Sequence, residues 1–127
     1  MADMIESTLE DLKKFEDAGR VWIDRLGLKD WDCIFKLEDL EDANARVCYR
    51  VISRKATFRL AKSRENLKPV EVHALHEALE LLMADIAIGI GHLYSDDFVD
   101  NEIHRVINRL MAVLPCSQKI QEGNHAG

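Results

Sequence analysis

One segment of the sequence, residues 69–88, is apolar around most of a helical circumference and carries a single narrow polar stripe. At about 100° per residue, the side chains of His73, His76, Glu77 and Glu80 fall on one arc. Pro69 suits the first turn of a helix, and the glycines just beyond residue 88 end it. The pattern therefore predicts one long helix whose polar arc is either solvated or used to bind a ligand.

The spacing within this stripe is that of a metal-binding helix. His76 and Glu80 are four residues apart, so both can reach one ion from the same helix face. Glu77 is left free to act on a water bound to that ion. Solvated arcs usually carry Lys or Arg, and this arc carries neither. We therefore expect a site for zinc or for a harder divalent ion such as manganese, present or former, although Glu80 stands where the usual zinc motif has His.

Two further residues are candidate ligands. Glu102 lies at the edge of the apolar face of the last predicted helix, where it either points inward as a third ligand or remains a surface carboxylate. We expect it to be the ligand because the stripe needs a partner, and we expect His104, on the polar side of that helix, to face solvent. His73 is one turn before His76, where it supplies an imidazole, supports a ligand from behind or is exposed.

Composition and charge describe the setting of this stripe. The chain has 127 residues, enough for a single domain; we predict it over residues 1–115, followed by a flexible tail at 116–127. Three cysteines without a Cys-x-x-Cys pair, no signal peptide and no segment long enough to span a bilayer predict a cytoplasmic protein outside the membrane. The net charge is −6, yet no Lys or Arg occurs in residues 69–104 among eight carboxylates, which favours a bound cation.

The order of predicted elements gives an α+β fold. An N-terminal helix at 5–26 is followed by strands at 31–37, 46–51 and 55–61, then by the long helix and a last helix at 98–114. The last two strands are separated by three residues and should form a hairpin. We expect a three-stranded, mostly antiparallel sheet with one basic face, which is either simply solvated, a phosphate site or a patch for an acidic protein.

The chain resembles the small phage and prophage metallopeptidases of the zincin-like, minigluzincin type. The matching stretches run in the same order as in that family and cover most of the chain: LGLKDWDCIF, ARVCYRVISRKATFRL, HEALELLMAD and NEIHRVINRL. The resemblance implies a zincin-like fold with His76 as first zinc ligand, Glu77 as general base and Glu102 as the ligand from the last helix. Glu80 departs from the family pattern, which has His at that position.

Two functions follow from this resemblance. In the first, the departure at Glu80 has made the metal site degenerate, and the protein is a binding or regulatory module with weak or no peptidase activity. In the second, it is an active metal-dependent hydrolase of peptides that uses His76, Glu80, Glu102 and Glu77. Both functions imply a protein or peptide partner. Nucleic acid is disfavoured because the basic sheet face lacks interleaved aromatic rings.

Overall fold

The computed structural model describes residues 3–91 and 93–114. The predicted tail at 116–127, with Cys116, lies outside the described residues. The elements in chain order are β1 (Met4–Glu6), α1 (Leu9–Arg25), β2 (Asp32–Glu38), β3 (Ala45–Arg50), β4 (Lys55–Ala61), β5 (Ser63–Glu65), α2 (Val70–Leu82), α3 (Ala84–Ile90) and α4 (Asp96–Val113). The predicted α+β class is confirmed. None of the described helices combines the length and apolar character that crossing a bilayer requires.

Helix α1 begins later than the sequence predicted. Its start is fixed by a capping box, in which the Thr8 hydroxyl accepts the Asp11 N–H at 3.0 Å and the Asp11 carboxylate accepts the Thr8 N–H at 2.9 Å. The residues before Thr8 form strand β1, which pairs with β5 as a small second sheet that was not predicted. The predicted stop is confirmed, since Gly27 follows the helix with a φ of 72°.

The main sheet has the strand order β2-β4-β3. The predicted hairpin is confirmed because β3 and β4 are antiparallel. The expectation of a mostly antiparallel sheet is wrong, since β2 pairs with β4 in parallel. The central position goes to β4 because its inward side chains are the most deeply buried of the sheet, with Ala56 at 2% exposure and Phe58 and Leu60 at 0%.

The hydrophobic core lies between the inner face of this sheet and the helices. Its largest fully buried side chains come from α1, β4, α2 and α4: Phe15, Phe58, Leu60, Leu75, Leu79, Leu81 and Ile107. The single helix predicted to run to residue 88 is instead divided into α2 and α3 at Met83. Helix α4 begins after Ser95, whose hydroxyl accepts the Phe98 N–H at 3.2 Å. This packing sets α4 beside the polar stripe of α2.

Candidate metal centre

Three side chains from α2 and α4 converge beside the sheet. The candidate ligand atoms of His76, Glu80 and His104 all lie within 4.8 Å of one another. Glu80 Oε1 is the common neighbour: it lies 3.6 Å from His76 Nε2 and 2.9 Å from His104 Nε2. All three residues are half-buried, so the group is shielded in part yet open to a ligand.

The imidazole of His104 is held in one orientation by its own helix. Its Nδ1 lies 2.9 Å from the carbonyl oxygen of Asp100, four residues earlier. This contact assigns a proton to Nδ1, which donates to the carbonyl, and leaves Nε2 directed at Glu80, to which it donates when the ring is charged and no ion is bound. The same hydrogen bond is the main cause that raises the pKa of His104. A backbone carbonyl behind the distal nitrogen is the usual support of a metal-binding histidine.

The donor atoms have the separations that a tetrahedral ion needs. Zinc bonds of about 2.0–2.1 Å place neighbouring ligand atoms about 3.4 Å apart in a tetrahedron. The two separations at Glu80, 2.9 and 3.6 Å, bracket that value, and all three ligand atoms lie within 4.8 Å of one another. Two imidazoles and one carboxylate are a ligand set found in catalytic zinc sites. The residues present therefore fit a divalent ion.

Glu77 lies behind this group and is 5% exposed. Its Oε1 accepts the backbone N–H of Val47 at 3.0 Å, which ties α2 to strand β3. Burial, together with the charge and hydrogen bond of the neighbouring Glu80, raises the pKa of Glu77 to about 9. The pKa of Glu80 is lowered despite its burial, because His76 and Glu77 hydrogen-bond to it. With one pKa raised and the other lowered, Glu77 is the carboxyl of this pair that holds a proton more readily.

The structure brings together some of the predicted site residues and not others. His76 and Glu80 belong to the group, with Glu77 adjacent. Glu102 does not reach it: its Oε1 lies 3.7 Å from Arg105 Nη2, and 42% of its side chain is exposed. His73 is also outside the group, with its Nε2 buried and without a hydrogen-bond partner among the described residues. The third member is His104, and the expectation that it faces solvent is wrong.

The sequence holds no local signal that singles out His104, because every residue inside a helix follows a backbone carbonyl by four residues. The helical wheel alone placed it with polar neighbours. What the wheel lacked was the position of α2, which packs against α4 on the side that carries His104.

A cavity of about 510 Å³ opens beside two of the three residues. Glu80 and His104 form part of its wall, and Tyr49 of β3 and Ile88 of α3 form another part. Three carboxylates of the first turns of α4 also line it: Asp96, Asp97 and Asp100. None of its described lining residues is Lys or Arg. The candidate metal centre thus adjoins an acidic space that is open to a small ligand.

Comparison of the chain with protein-family models, with curated proteins and with solved structures finds no match. The resemblance to zincin-like peptidases therefore stays an expectation that rests on the sequence motifs alone.

Proposed function

We propose that this protein is a metal-dependent hydrolase, with peptides as its substrates. The observation that supports this most is the placement of His104, whose Nε2 lies 2.9 Å from Glu80 and is oriented by a backbone carbonyl. With this residue the ligand set becomes two imidazoles and one carboxylate. The departure at Glu80 is compensated, since the helix that loses an imidazole gains a carboxylate and the last helix supplies the imidazole.

The charge of this ligand set favours catalysis over the set expected from sequence. One histidine with two carboxylates would cancel the charge of a divalent ion, whereas His76, Glu80 and His104 leave it a net positive charge. A bound ion of that kind supplies Lewis acidity and lowers the pKa of a water molecule at the site. Two imidazoles also favour zinc over harder ions such as magnesium.

The other groups of the site have roles that their positions support. Glu77 adjoins the ligands and carries a proton in a buried position, so it can hold or pass a proton at its Oε atoms. Among the described strands, β3 is an edge strand that pairs with β4 alone, and its Val47 and Tyr49 line the cavity. An extended peptide chain adding to such an edge would enter the cavity alongside Glu80 and His104.

A second candidate function is favoured by one contact. Glu77 Oε1 is engaged by the Val47 N–H, and a general base fixed in that way is not free to serve a reacting water. In this alternative the metal group stabilises the fold of a binding or regulatory module, and no hydrolysis occurs. Both functions require metal binding. They differ in whether Glu77 takes part in hydrolysis.

The test combines metal analysis with a single conservative variant. Purified protein is expected to hold about one equivalent of zinc by elemental analysis, and to lose it in His76→Ala. Zinc-loaded protein is then offered a library of quenched fluorescent peptides. Glu77→Gln should retain zinc and lose hydrolysis, whereas the matched variant Glu71→Gln, earlier on α2, should keep both.

Each result decides between the functions. Zinc binding without hydrolysis of any library peptide by the unaltered protein favours the binding module. Hydrolysis that survives in Glu77→Gln removes Glu77 from the mechanism. Absence of zinc and manganese binding at micromolar metal would overturn both functions, because the group of three side chains would then have only a structural role.

A further inference from the structure

The outer face of the main sheet carries a grid of cations that no described element covers. The strand register places them in two rows, with a neutral row between them. The first row is Asp32, Lys55 and Arg50, the neutral row is Ile34, Thr57 and Cys48, and the third row is Lys36, Arg59 and Arg46. We call these nine residues the cationic face; it carries five cations and one carboxylate.

Two pairs of like charges lie directly opposite each other on this face. Arg46 is the register partner of Arg59, and Arg50 is the partner of Lys55. Like charges in such positions destabilise a sheet. The protein as a whole has a net charge of −6, so a concentration of cations on one face is not a consequence of overall composition.

The two pairs differ in how they are neutralised. Arg59 Nη1 lies 2.9 Å from Glu38 and Arg46 Nη2 lies 3.2 Å from Asp42. Among the residues that the structure describes, neither Arg50 nor Lys55 has a carboxylate within ion-pair distance, although Asp32 is the register partner of Lys55. Both border a surface trough of about 380 Å³, which is also lined by Thr57, Cys48, Arg59 and Tyr49. Two exposed cations without a carboxylate partner beside a trough are the feature that an external anion fits.

We propose that the cationic face binds an acidic peptide segment of a partner protein in extended conformation. Alternate residues of a strand are about 7 Å apart, so an extended peptide laid along the strands can match successive rows. It would place acidic side chains over the cation rows and an apolar side chain over Ile34, which is 55% exposed. Arginine in particular recognises carboxylates through paired hydrogen bonds.

The composition of the face favours carboxylates over a nucleic acid. Single-stranded nucleic acids are bound by cations interleaved with aromatic rings on which bases stack. None of the nine residues of the cationic face is aromatic, and the nearby Tyr49 belongs to the opposite side of β3, where it stacks edge-on with Trp31 at 6.0 Å. The proposal does not depend on the metal centre, which lies on the other side of the sheet.

The binding test uses a labelled peptide with three Glu-Ser-Leu-Ser repeats and its Gln-for-Glu counterpart, followed by fluorescence polarisation. The Glu peptide should bind saturably and at least tenfold more tightly than the Gln peptide. Arg50→Gln/Lys55→Gln should weaken it at least tenfold. The matched variant Lys62→Gln/Lys68→Gln removes two exposed cations outside the face and should bind as the unaltered protein does.

A second measurement distinguishes binding from folding. Because Arg50 and Lys55 repel each other, the double variant should have an unchanged or higher Tm, so its loss of binding would not reflect unfolding. Equal loss in Lys62→Gln/Lys68→Gln would overturn the proposal, since net charge alone would then explain binding. Tighter binding of an oligothymidine than of the Glu peptide would overturn the proposal in favour of a phosphate backbone. Absence of saturable binding of both probes would overturn it outright.

Discussion

Glu77 Oε1 accepts the N–H of Val47 at 3.0 Å, so the carboxyl that the motif assigns to catalysis also joins the motif helix to the edge strand. This bond can form with either protonation state of the carboxyl. The hydrogen bond to Glu80 requires the proton, because two ionised carboxylates repel each other. The contacts of Glu77 with Val47 and Glu80 together therefore stabilise the fold most when Glu77 is neutral.

Glu77→Gln is expected to stabilise the metal-free protein above neutral pH. The folded pKa of Glu77 is raised from 4.5 to about 9, so between these values the folded state holds a proton that the unfolded state has lost, and the free energy of unfolding falls as pH rises. A glutamine amide donates to Glu80 and accepts from Val47 without ionising. We expect a gain on the order of 2 kcal/mol at pH 8 by urea denaturation. A loss of stability at pH 8 would show that Glu77 is ionised in the folded protein.

His104→Ala is expected to abolish metal binding, and Glu102→Gln is expected to leave it unchanged. His104 belongs to the group of candidate ligands, whereas Glu102 pairs with Arg105. Loss of groups that only support a ligand already costs about 10–100-fold in affinity, so loss of a ligand should cost more. Isothermal titration of both variants with zinc measures the difference. Equal affinities would remove His104 from the site, and a loss confined to Glu102→Gln would restore the ligand set expected from sequence.

Acidification is expected to destabilise the protein through His73. Its burial lowers the folded pKa to about 4 from 6.5, and its Nε2 has no partner among the described residues. Between these values the unfolded state binds a proton that the folded state does not, so the free energy of unfolding falls as pH drops from about 6.5 toward 4. Because His73 is partly exposed, we expect about 2 kcal/mol over this window.

The variant His73→Gln isolates this contribution. It should flatten the dependence of unfolding free energy on pH in the same window, when compared with the unaltered protein by urea denaturation. Glu77 acts in the opposite direction above pH 4.5, so the comparison is made between variants rather than between pH values alone. An unchanged slope in His73→Gln would place the acid sensitivity elsewhere in the protein.

The sequence predicts most of the elements, because their periodicities are local. Strand β4 and the β3–β4 hairpin follow from alternation and a short link, and their bounds agree closely with the structure. The parallel pairing of β2 with β4 could not be predicted in this way, because it is decided by which strand buries the most apolar surface. The small sheet of β1 and β5 was missed for a similar reason: Arg64 on β5 is buried at 5% exposure by contacts with Ser7 and Asp11 more than fifty residues away.

The candidate site likewise has a part that local sequence patterns predict and a part that they do not. His76, Glu77 and Glu80 follow from spacing within one helix, which is a local property. The third member depends on how α4 is rotated against α2. His104 is two positions after Glu102, which is enough to place its side chain on another face of the helix. The sequence therefore identified the helix that faces the polar stripe, but it named Glu102 where the structure brings His104 into the candidate group.

Two glycines in helices give opposite predictions for the same substitution. A Cβ on Gly19 in α1 would lie 2.5 Å from Cε2 of Phe35, a ring stacked on Phe58 at 4.6 Å between centroids. A Cβ on Gly89 in α3 would meet nothing within 4 Å. Gly19→Ala should destabilise by about 1–3 kcal/mol, because the Phe35 ring must move within a packed core. Gly89→Ala should stabilise by about 0.5–1 kcal/mol through helix propensity alone.

Thermal and urea denaturation of the two variants measure this difference directly. Because the substitution is the same, any change in the unfolded chain contributes about equally to both values, and their difference reports the packing at Phe35. A stabilising Gly19→Ala would mean that α1 does not lie against β2 as described. Such a result would also weaken the placement of the metal centre, since α1 packs on α2 and thereby fixes the helix that carries His76 and Glu80.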